Sequence, residues 1–575
     1  MTTHTPADPL VQNGPFVNKL EMQGRLFAEL SRMFGRETPL YDRSLLVNRE
    51  VNKAVCELLG MLHVGFALSD EELELASGER HGAIRIGKPE EYRWIARFFA
   101  AFGMAPHNFY DMTSVGLKSQ PVLATAFRSV LRPDHRVFCS LLQTDYFDPV
   151  TRARIEALLA DRQVFSDEAK RLVEKSEREG GLRSDDAEAL IREGTGRIFR
   201  WTGRARDHQL YTDLCASGFK IAADIACFER HHLNHLTPNT FCIDLYSAAM
   251  KRCMGEMTEG AFRERAVRAL DRLLATADRD FMMLQFKRLS RRSVDSFKPG
   301  TPAPGAVEAL ADALIARLQA PQFALHKLPH AGFKNLTEGP SADTPILLRQ
   351  DAYRALTEPV TFTNPDGSVV ESAHTARFGE IEQRSYAVTP KGRRMYDRCL
   401  EIADAAVALH PGLAERDFGA YEAMYSAPFR PFPKTLPELL QQGLAYGRYS
   451  PTAAGVAAAG TIQTTNIHEL IRMGYADYEG VRYEDFLPVS AAGIFASNLS
   501  QYGTESTAAT KPVYTQAMLE EILGCRIIDA DTIYRGEEAA SRLHTYAKLG
   551  LLDQLPEWQR AELDRAAAAL AAIVG

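Results

Sequence analysis

The chain has 575 residues, 45% hydrophobic and 25% charged, a balance that excludes collagen-like, low-complexity and disulfide-scaffold proteins. Its formal net charge of −7 is too mild for a protein built to hold nucleic acid or a membrane surface. Eight scattered cysteines, a polar start (MTTHTPADP) and no apolar run near the ~20 residues of a membrane span predict a cytoplasmic protein with neither nucleic-acid nor membrane partners.

In chain order, residues 16–66 read as helical, because apolar residues recur at three and four in FVNKLEMQGRLFAELSRMF and again in VNKAVCELLGMLHVGFAL. HGAIRIG, residues 81–87, has the β-branched and small residues of a strand. PEEYRWIARFFAAFGM follows as a helix with Pro89 in its first turn and an aromatic buried face. HRVFCSLL, residues 135–142, is a second strand. Residues 150–217 include SDEAKRLVEKSEREGGLRSDDAEALIREGTGR, which is charged, helical in rhythm and broken at Gly180–Gly181; it predicts a solvated helical hairpin. Residues 260–320 are similar, with a charged helical run, the breaker KPGTPAPG and then AVEALADALIARLQ.

Between these blocks lie the strand-like pieces HLNHLTPNTFCIDL, TPILLRQ, PVTFTNPDGSVV and RFGEIEQRSYAVT. NPDGS between two β-branched runs marks a hairpin, and ILLRQ followed by DAYRAL reads as strand then helix. From about Pro411 helices mix with Gly/Pro-rich loops. The expected fold class is α+β. One elaborated domain, residues 1–575, would hold a sheet core with attached helices and two helical insertions, 150–217 and 260–320.

Several motifs fall short. Residues 82–88 match the start of a phosphate-binding loop, but Pro89 stands where that loop needs Ser or Thr, and AIRI prefers extended structure. Cys227, His231, His235 and Cys242 fit no standard zinc spacing, and buried thiols are the simpler reading. Three segments carry candidate chemistry. HHLNHLTP, residues 231–238, has three His in five positions. A strand would put His231, Leu233 and His235 on one face, and a helix would pair His231 with His235; Pro238 and the sequence after it favour the strand. FGEIEQR, residues 378–384, would put Phe378, Glu380, Glu382 and Arg384 on one strand face. That is either a metal and anion site or a solvent-facing strand laced by charge pairs. HGAIR, residues 81–85, would align His81, Ala83 and Arg85; His81 suits a metal, and the planar fork of Arg85 suits a carboxylate. Two His and one carboxylate form the ligand set of a non-haem Fe(II) centre, but spacings of over a hundred residues do not establish one.

In combination, ERHGAIRIGKPEE, HRVFCSLL, NHLTP, ILLRQDAYRAL, FGEIEQRSYAVTPKGR, GLAYGRYSPT and YEDFLPVSAAGIF resemble the 2-oxoadipate dioxygenase/decarboxylases, also called hydroxyglutarate synthases. That family lies in the vicinal oxygen chelate superfamily, so the resemblance implies a β-sheet core cupping a metal and surrounded by helices. FGEIEQR is also similar to the last metal-ligand strand of the 4-hydroxyphenylpyruvate dioxygenases. Position by position, the resemblance implies His81, His235 and Glu380 as the metal ligands and catalytic set, with Glu382 the alternative to Glu380. It implies that Arg85 grips a substrate carboxylate and that Val489 contacts substrate through its backbone; Ser490 lies beside Val489 and could donate a hydrogen bond. Asn239 and Ser385 depart from the family pattern, which more often has Arg and Gly there; neither is an assigned ligand, and both bear on substrate preference. The implied cofactor is Fe(II), and the implied partners are a 2-oxo dicarboxylic acid and O2. The implied reaction takes 2-oxoadipate and O2 to 2-hydroxyglutarate and CO2, a step of lysine breakdown. On the sequence alone two other readings stay open: a metal-dependent enzyme of the same superfamily acting on a different 2-oxo acid, and a non-catalytic relative that binds a keto acid.

Overall fold

A computed structural model describes residues 15–115, 119–334, 337–487 and 505–574. Its largest sheet has five strands in the order Ala105–Asp111, Val122–Arg128, Arg136–Leu142, Glu79–Ile86 and His235–Pro238. The strand Glu79–Ile86 runs parallel to Arg136–Leu142 and antiparallel to His235–Pro238, with Ala83 opposite His235 and His81 opposite Thr237. The two strands expected at 81–87 and 135–142 are therefore neighbours. Val122–Arg128 and Arg136–Leu142 are buried at every position, as strands covered on both faces must be.

Period-two alternation sorts the sheet into two faces. Ile84, Ile86, Leu123, Phe127, Val137, Cys139 and Leu141 pack under the helices Lys19–Glu37 and Pro89–Ala101. Ala83, Ala124, Ala126, Phe138 and Leu142 turn to the other core, which is walled by Pro39–Leu62, Ile243–Cys253 and Glu259–Thr276. Asn18 caps the first helix by accepting bonds from the amides of Leu20 and Glu21. Pro89 opens its helix as expected, where a missing N–H leaves nothing unpaired.

The block 150–217 departs from the solvated hairpin that its charge suggests. Asp167–Glu179 and Ser184–Glu193 bury Leu172, Val173, Ala187, Leu190 and Ile191 in the same core as Ile84 and Ile86. Each helix is amphipathic, and its apolar stripe packs on the helices that cover the back of the His81 strand. The block 260–320 behaves likewise: Phe262, Leu270, Leu310 and Leu314 pack with Val51 and Leu58 of Pro39–Leu62.

Two local expectations change. DAYRAL is not helical; Leu348–Ala352 is a strand, and Leu356–Thr363 forms the NPDGS hairpin with Val369–Arg377. The reason is tertiary. Ala352 pairs with Glu380, and the Tyr353 amide bonds Gly379 O at 3.2 Å, so strand pairing overrides helix propensity. Similarly, CIDL starts the helix Ile243–Cys253 rather than extending a strand. Among the described residues no helix is long and apolar enough to cross a membrane.

One buried ion pair ties the sheet to the C-terminal part of the chain. Arg128, 1% exposed, holds Asp485 with two prongs, Nε–Oδ1 at 2.9 Å and Nη2–Oδ2 at 3.1 Å, and the Tyr534 hydroxyl donates a further bond to Asp485. Removing one partner strands a buried charge. Asp485→Ala is therefore expected to lower the unfolding free energy by about 3–5 kcal/mol, read as a lower denaturant midpoint at unchanged slope. A wild-type midpoint would show the clamp to be dispensable.

Candidate metal centre

The antiparallel register sets Ala83 opposite His235, and side chains directly opposite share a face. His81 and Arg85 flank Ala83 on that same face. The His81 and His235 rings consequently meet at right angles with centroids 5.5 Å apart. Of the three His in HHLNHLTP only His235 lies on the strand, because His231 and His232 precede it.

The third segment arrives beside them. Glu380–Arg384 pairs antiparallel with Leu348–Ala352. Two backbone bonds stitch it along the His235 strand: Phe378 N to Asn234 O at 3.1 Å and Thr240 N to Glu382 O at 2.9 Å. Glu380, Glu382 and Arg384 reach one side, as the alternation predicts, while Ile381 enters the core.

His81 Nε2 lies 3.1 Å from Glu380 Oε2, and His235 Nε2 lies 3.5 Å from the same oxygen. The Thr237 hydroxyl donates to it at 2.9 Å. His81, His235 and Glu380 are 2%, 3% and 4% exposed. One ligand atom from each lies within 4.8 Å of the others. The second oxygen of Glu380, Oε1, is buried and accepts no hydrogen bond. Two imidazole nitrogens, one carboxylate and an orphaned buried oxygen fit a divalent first-row metal. Burial pushes His235 down to about 4, against the pull of Glu380, so at neutral pH it is the neutral imidazole that a metal requires. For Glu380, burial works against the charge, but the facing imidazoles and the Thr237 bond hold the carboxyl below its ordinary range.

Glu382 is placed differently. Arg384 grips it through Nε–Oε1 at 2.7 Å and Nη2–Oε2 at 2.9 Å, and Arg136 Nη1 reaches Oε1 at 3.3 Å. Burial opposes its charge, and Arg384, His81 and Arg136 overcome it, leaving the carboxyl far below its ordinary range. Its remaining contact accepts a bond from His81 Nδ1 at 2.9 Å. Glu382 thus orients the imidazole whose other nitrogen faces Glu380.

Arg85 is buried and donates from Nη1 to Asp224 Oδ2 at 2.5 Å. Val489 and Ser490 lie outside the described residues. Asn239 is fully buried; its carbonyl accepts from the side chains of Asn48 and Asn52, and its Oδ1 from Arg482 at 3.4 Å. The Ser385 amide bonds Leu347 O at 2.7 Å. Cys227 and Cys242 sit in the apolar core, and His231 turns away to Glu91 at 3.1 Å, so those residues do not assemble with His235.

Sequence reasoning missed Thr237, Arg136 and a second buried group, Asp224, His232 and His374. Asp224 carried a signal, as the one acid in the otherwise apolar run IAADIAC; His374, alone on a hairpin strand, carried none.

A family model described as 2-oxoadipate dioxygenase/decarboxylase matches residues 26–274 and 312–498, taking in all of 150–217 and leaving 275–311 between its two stretches. The 2-oxoadipate dioxygenase/decarboxylase of Pseudomonas putida is 34% identical over 539 residues, covering 92% of this chain and 96% of the relative. That of Escherichia coli is 31% identical over 531 residues, covering 91% and 97%. The solved structure of Pseudomonas putida hydroxyglutarate synthase in complex with 2-oxoadipate matches with a TM-score of 0.66 at 32% identity, covering 94% of this chain and 100% of the other. The chain belongs to the 2-oxoadipate dioxygenase/decarboxylase family.

Proposed function

We propose that the chain converts 2-oxoadipate and O2 to 2-hydroxyglutarate and CO2, with Fe(II) held by His81, His235 and Glu380. The observation that carries this reading is the convergence of two imidazole Nε2 atoms on one buried carboxylate oxygen, in a chain of this family. The relatives' names supply the substrate. Bound by this donor set, Fe(II) would supply the redox chemistry between dioxygen and the keto acid and keep positions open for both.

The protein's own groups prepare the site. Glu382, fixed by Arg384 and Arg136, takes the His81 Nδ1 proton in a hydrogen bond and leaves the Nε2 lone pair facing Glu380. Thr237 holds Glu380 in place. Phe378 stacks on His235 at 5.0 Å and Phe486 sits edge-on to His81 at 4.8 Å, apolar walls that keep bulk water out. Ala83, between His81 and Arg85, is the smallest side chain on that strand face. Arg85 would take the carboxylate far from the keto group, with Val489 and Ser490 completing the contacts. The three ligands come from one sheet and the strand laid along it, which supports a vicinal-oxygen-chelate-like core within one elaborated domain.

The direct test is to load the protein with Fe(II) without air, add 2-oxoadipate, and admit O2. Equal amounts of CO2 and 2-hydroxyglutarate are expected; turnover without O2 would overturn the dioxygenase reading. Alanine at His81, His235 or Glu380 is expected to abolish both iron retention and turnover. A His235→Ala protein with full iron and O2 uptake would remove that residue from the ligand set.

Two further variants separate holding the metal from holding the substrate. Glu382→Gln is expected to weaken iron binding by about 10–100-fold, measured by competition with a chromogenic chelator. Arg85→Met is expected to raise KM by about 10–100-fold through loss of a charge-assisted bond, with iron content unchanged.

A further inference from the structure

Arg85 is itself held by a built group. Asp224, 2% exposed, accepts Arg85 Nη1 on Oδ2 at 2.5 Å and Asn234 Nδ2 on the same oxygen at 3.4 Å. Its other oxygen faces His374 Nε2 at 2.8 Å and His232 Nε2 at 3.1 Å. The Tyr211 hydroxyl lies 2.9 Å from His374 Nδ1, and the Trp201 ring packs against both imidazoles. Asp224 comes from the helix Lys220–Cys227, His232 from the turn before the His235 strand and His374 from the strand Val369–Arg377. Side chains from the Arg85 strand, the segment before the His235 strand and the strand Val369–Arg377 therefore converge on one carboxylate, more than an ion pair with one arginine needs.

By composition Asp224, His232 and His374 repeat the set His81, His235 and Glu380. Their bonding differs. Glu380 keeps a buried oxygen with no hydrogen bond. Both oxygens of Asp224 accept hydrogen bonds, Oδ2 from Arg85 and Asn234 and Oδ1 from His374. A cation placed here would break the Arg85 bond and share a buried site with a second positive charge. The arrangement suits an anchor rather than a second metal.

We infer that Asp224 is a positioning residue for Arg85, and that it sets the chain length of the 2-oxo diacid accepted by fixing how far the guanidinium stands from the metal ligands. The inference rests on the reading of Arg85 as the partner of the substrate's far carboxylate. An arginine side chain is long and flexible, and grips at a defined distance only if its head is fixed before the substrate arrives. Asp224 fixes it, and His232 and His374 keep Asp224 from rotating.

The test compares wild type, Asp224→Asn, Asp224→Glu and His374→Gln, each loaded with Fe(II) and assayed for iron content, on the 2-oxo diacids of five, six and seven carbons. Asp224→Glu lengthens the anchor by one methylene and displaces the guanidinium, so the ratio of kcat/KM between the five- and six-carbon diacids is expected to shift about tenfold. Asp224→Asn is expected to raise KM for the six-carbon diacid about tenfold while kcat changes by less than about threefold. His374→Gln leaves the Arg85 bond in place and should raise KM less; it carries the test where an Asp224 variant does not fold. A purely structural role would lower stability without moving the chain-length ratio. Iron-replete variants with wild-type KM and wild-type chain-length preference would overturn the positioning role. Wild-type protein that turns over none of the three diacids would instead overturn the functional reading, and the inference with it.

Discussion

The register between Glu79–Ile86 and His235–Pro238 is the constraint on which the site depends. With Ala83 opposite His235, one strand face carries His81, Arg85, His235 and Thr237, and the other carries Ile84 and Ile86. A slip of one residue would bring Ile84 and Ile86 to the ligand face and drive a histidine and an arginine into an apolar core. The core therefore enforces the chemistry. Ile84 and Ile86 share one buried core with Leu172, Leu190 and the apolar face of the first helix, and Gly82 lies where a Cβ would meet Leu236 Cδ2 at 3.0 Å and His235 O at 3.2 Å. The close approach at Gly82 draws the two histidine-bearing strands together, which a larger residue would oppose.

Charge is the second constraint, because this face collects several ionised groups in a volume closed to water. Each carboxylate except Glu380 is matched by an arginine or lysine. Glu382 has Arg384 and Arg136, Asp224 has Arg85, and Arg136 also reaches Glu484, which Lys287 closes off at 2.5 Å. The chain of contacts runs from Lys287, a quarter exposed, through Glu484, Arg136 and Glu382 to His81. Burial alone would push Glu484 up; Lys287, Arg136, Arg482 and Arg384 bring it down to about 2. Lys287 belongs to residues 275–311, the stretch between the two matched parts of the family model, as do Leu284 and Gln285, which accept from Arg482 and donate to Arg384. That segment is thus woven into the support of His81 rather than hung on the surface.

Much of this was legible in the chain wherever a single strand decides the matter. Alternation alone aligned His81 with Arg85 and Glu380 with Glu382, because period two is a local property. What alternation could not supply was pairing. Choosing between Glu380 and Glu382 needs Arg136, more than two hundred residues away, and the His235 strand as neighbours. DAYRAL misled for the same reason, since its helical propensity yields to the Glu380 strand. The 150–217 block misled by composition: its charges are counted easily, whereas the stripe of Leu172, Val173, Leu190 and Ile191 matters only once a sheet lies beneath it. Asp224 and His374 are 150 residues apart and meet only in the folded chain.

The two His–His–carboxylate groups show why residue type is a weak guide to metal binding. Both are buried, both aim two Nε2 atoms at one oxygen, and they are linked through the strand that carries His81 and Arg85. Lone-pair bookkeeping distinguishes them. A carboxylate both of whose oxygens already accept hydrogen bonds gains nothing from a cation that must displace the donors, whereas one with an oxygen left bare in a dry site is destabilised until something positive engages it. By that criterion Glu380 is poised for an ion and Asp224 for an arginine. On the proposed reading the same strand would present the metal through His81 and the anion grip through Arg85, with Ala83 between them, which is the spacing problem that a small dianionic keto acid poses.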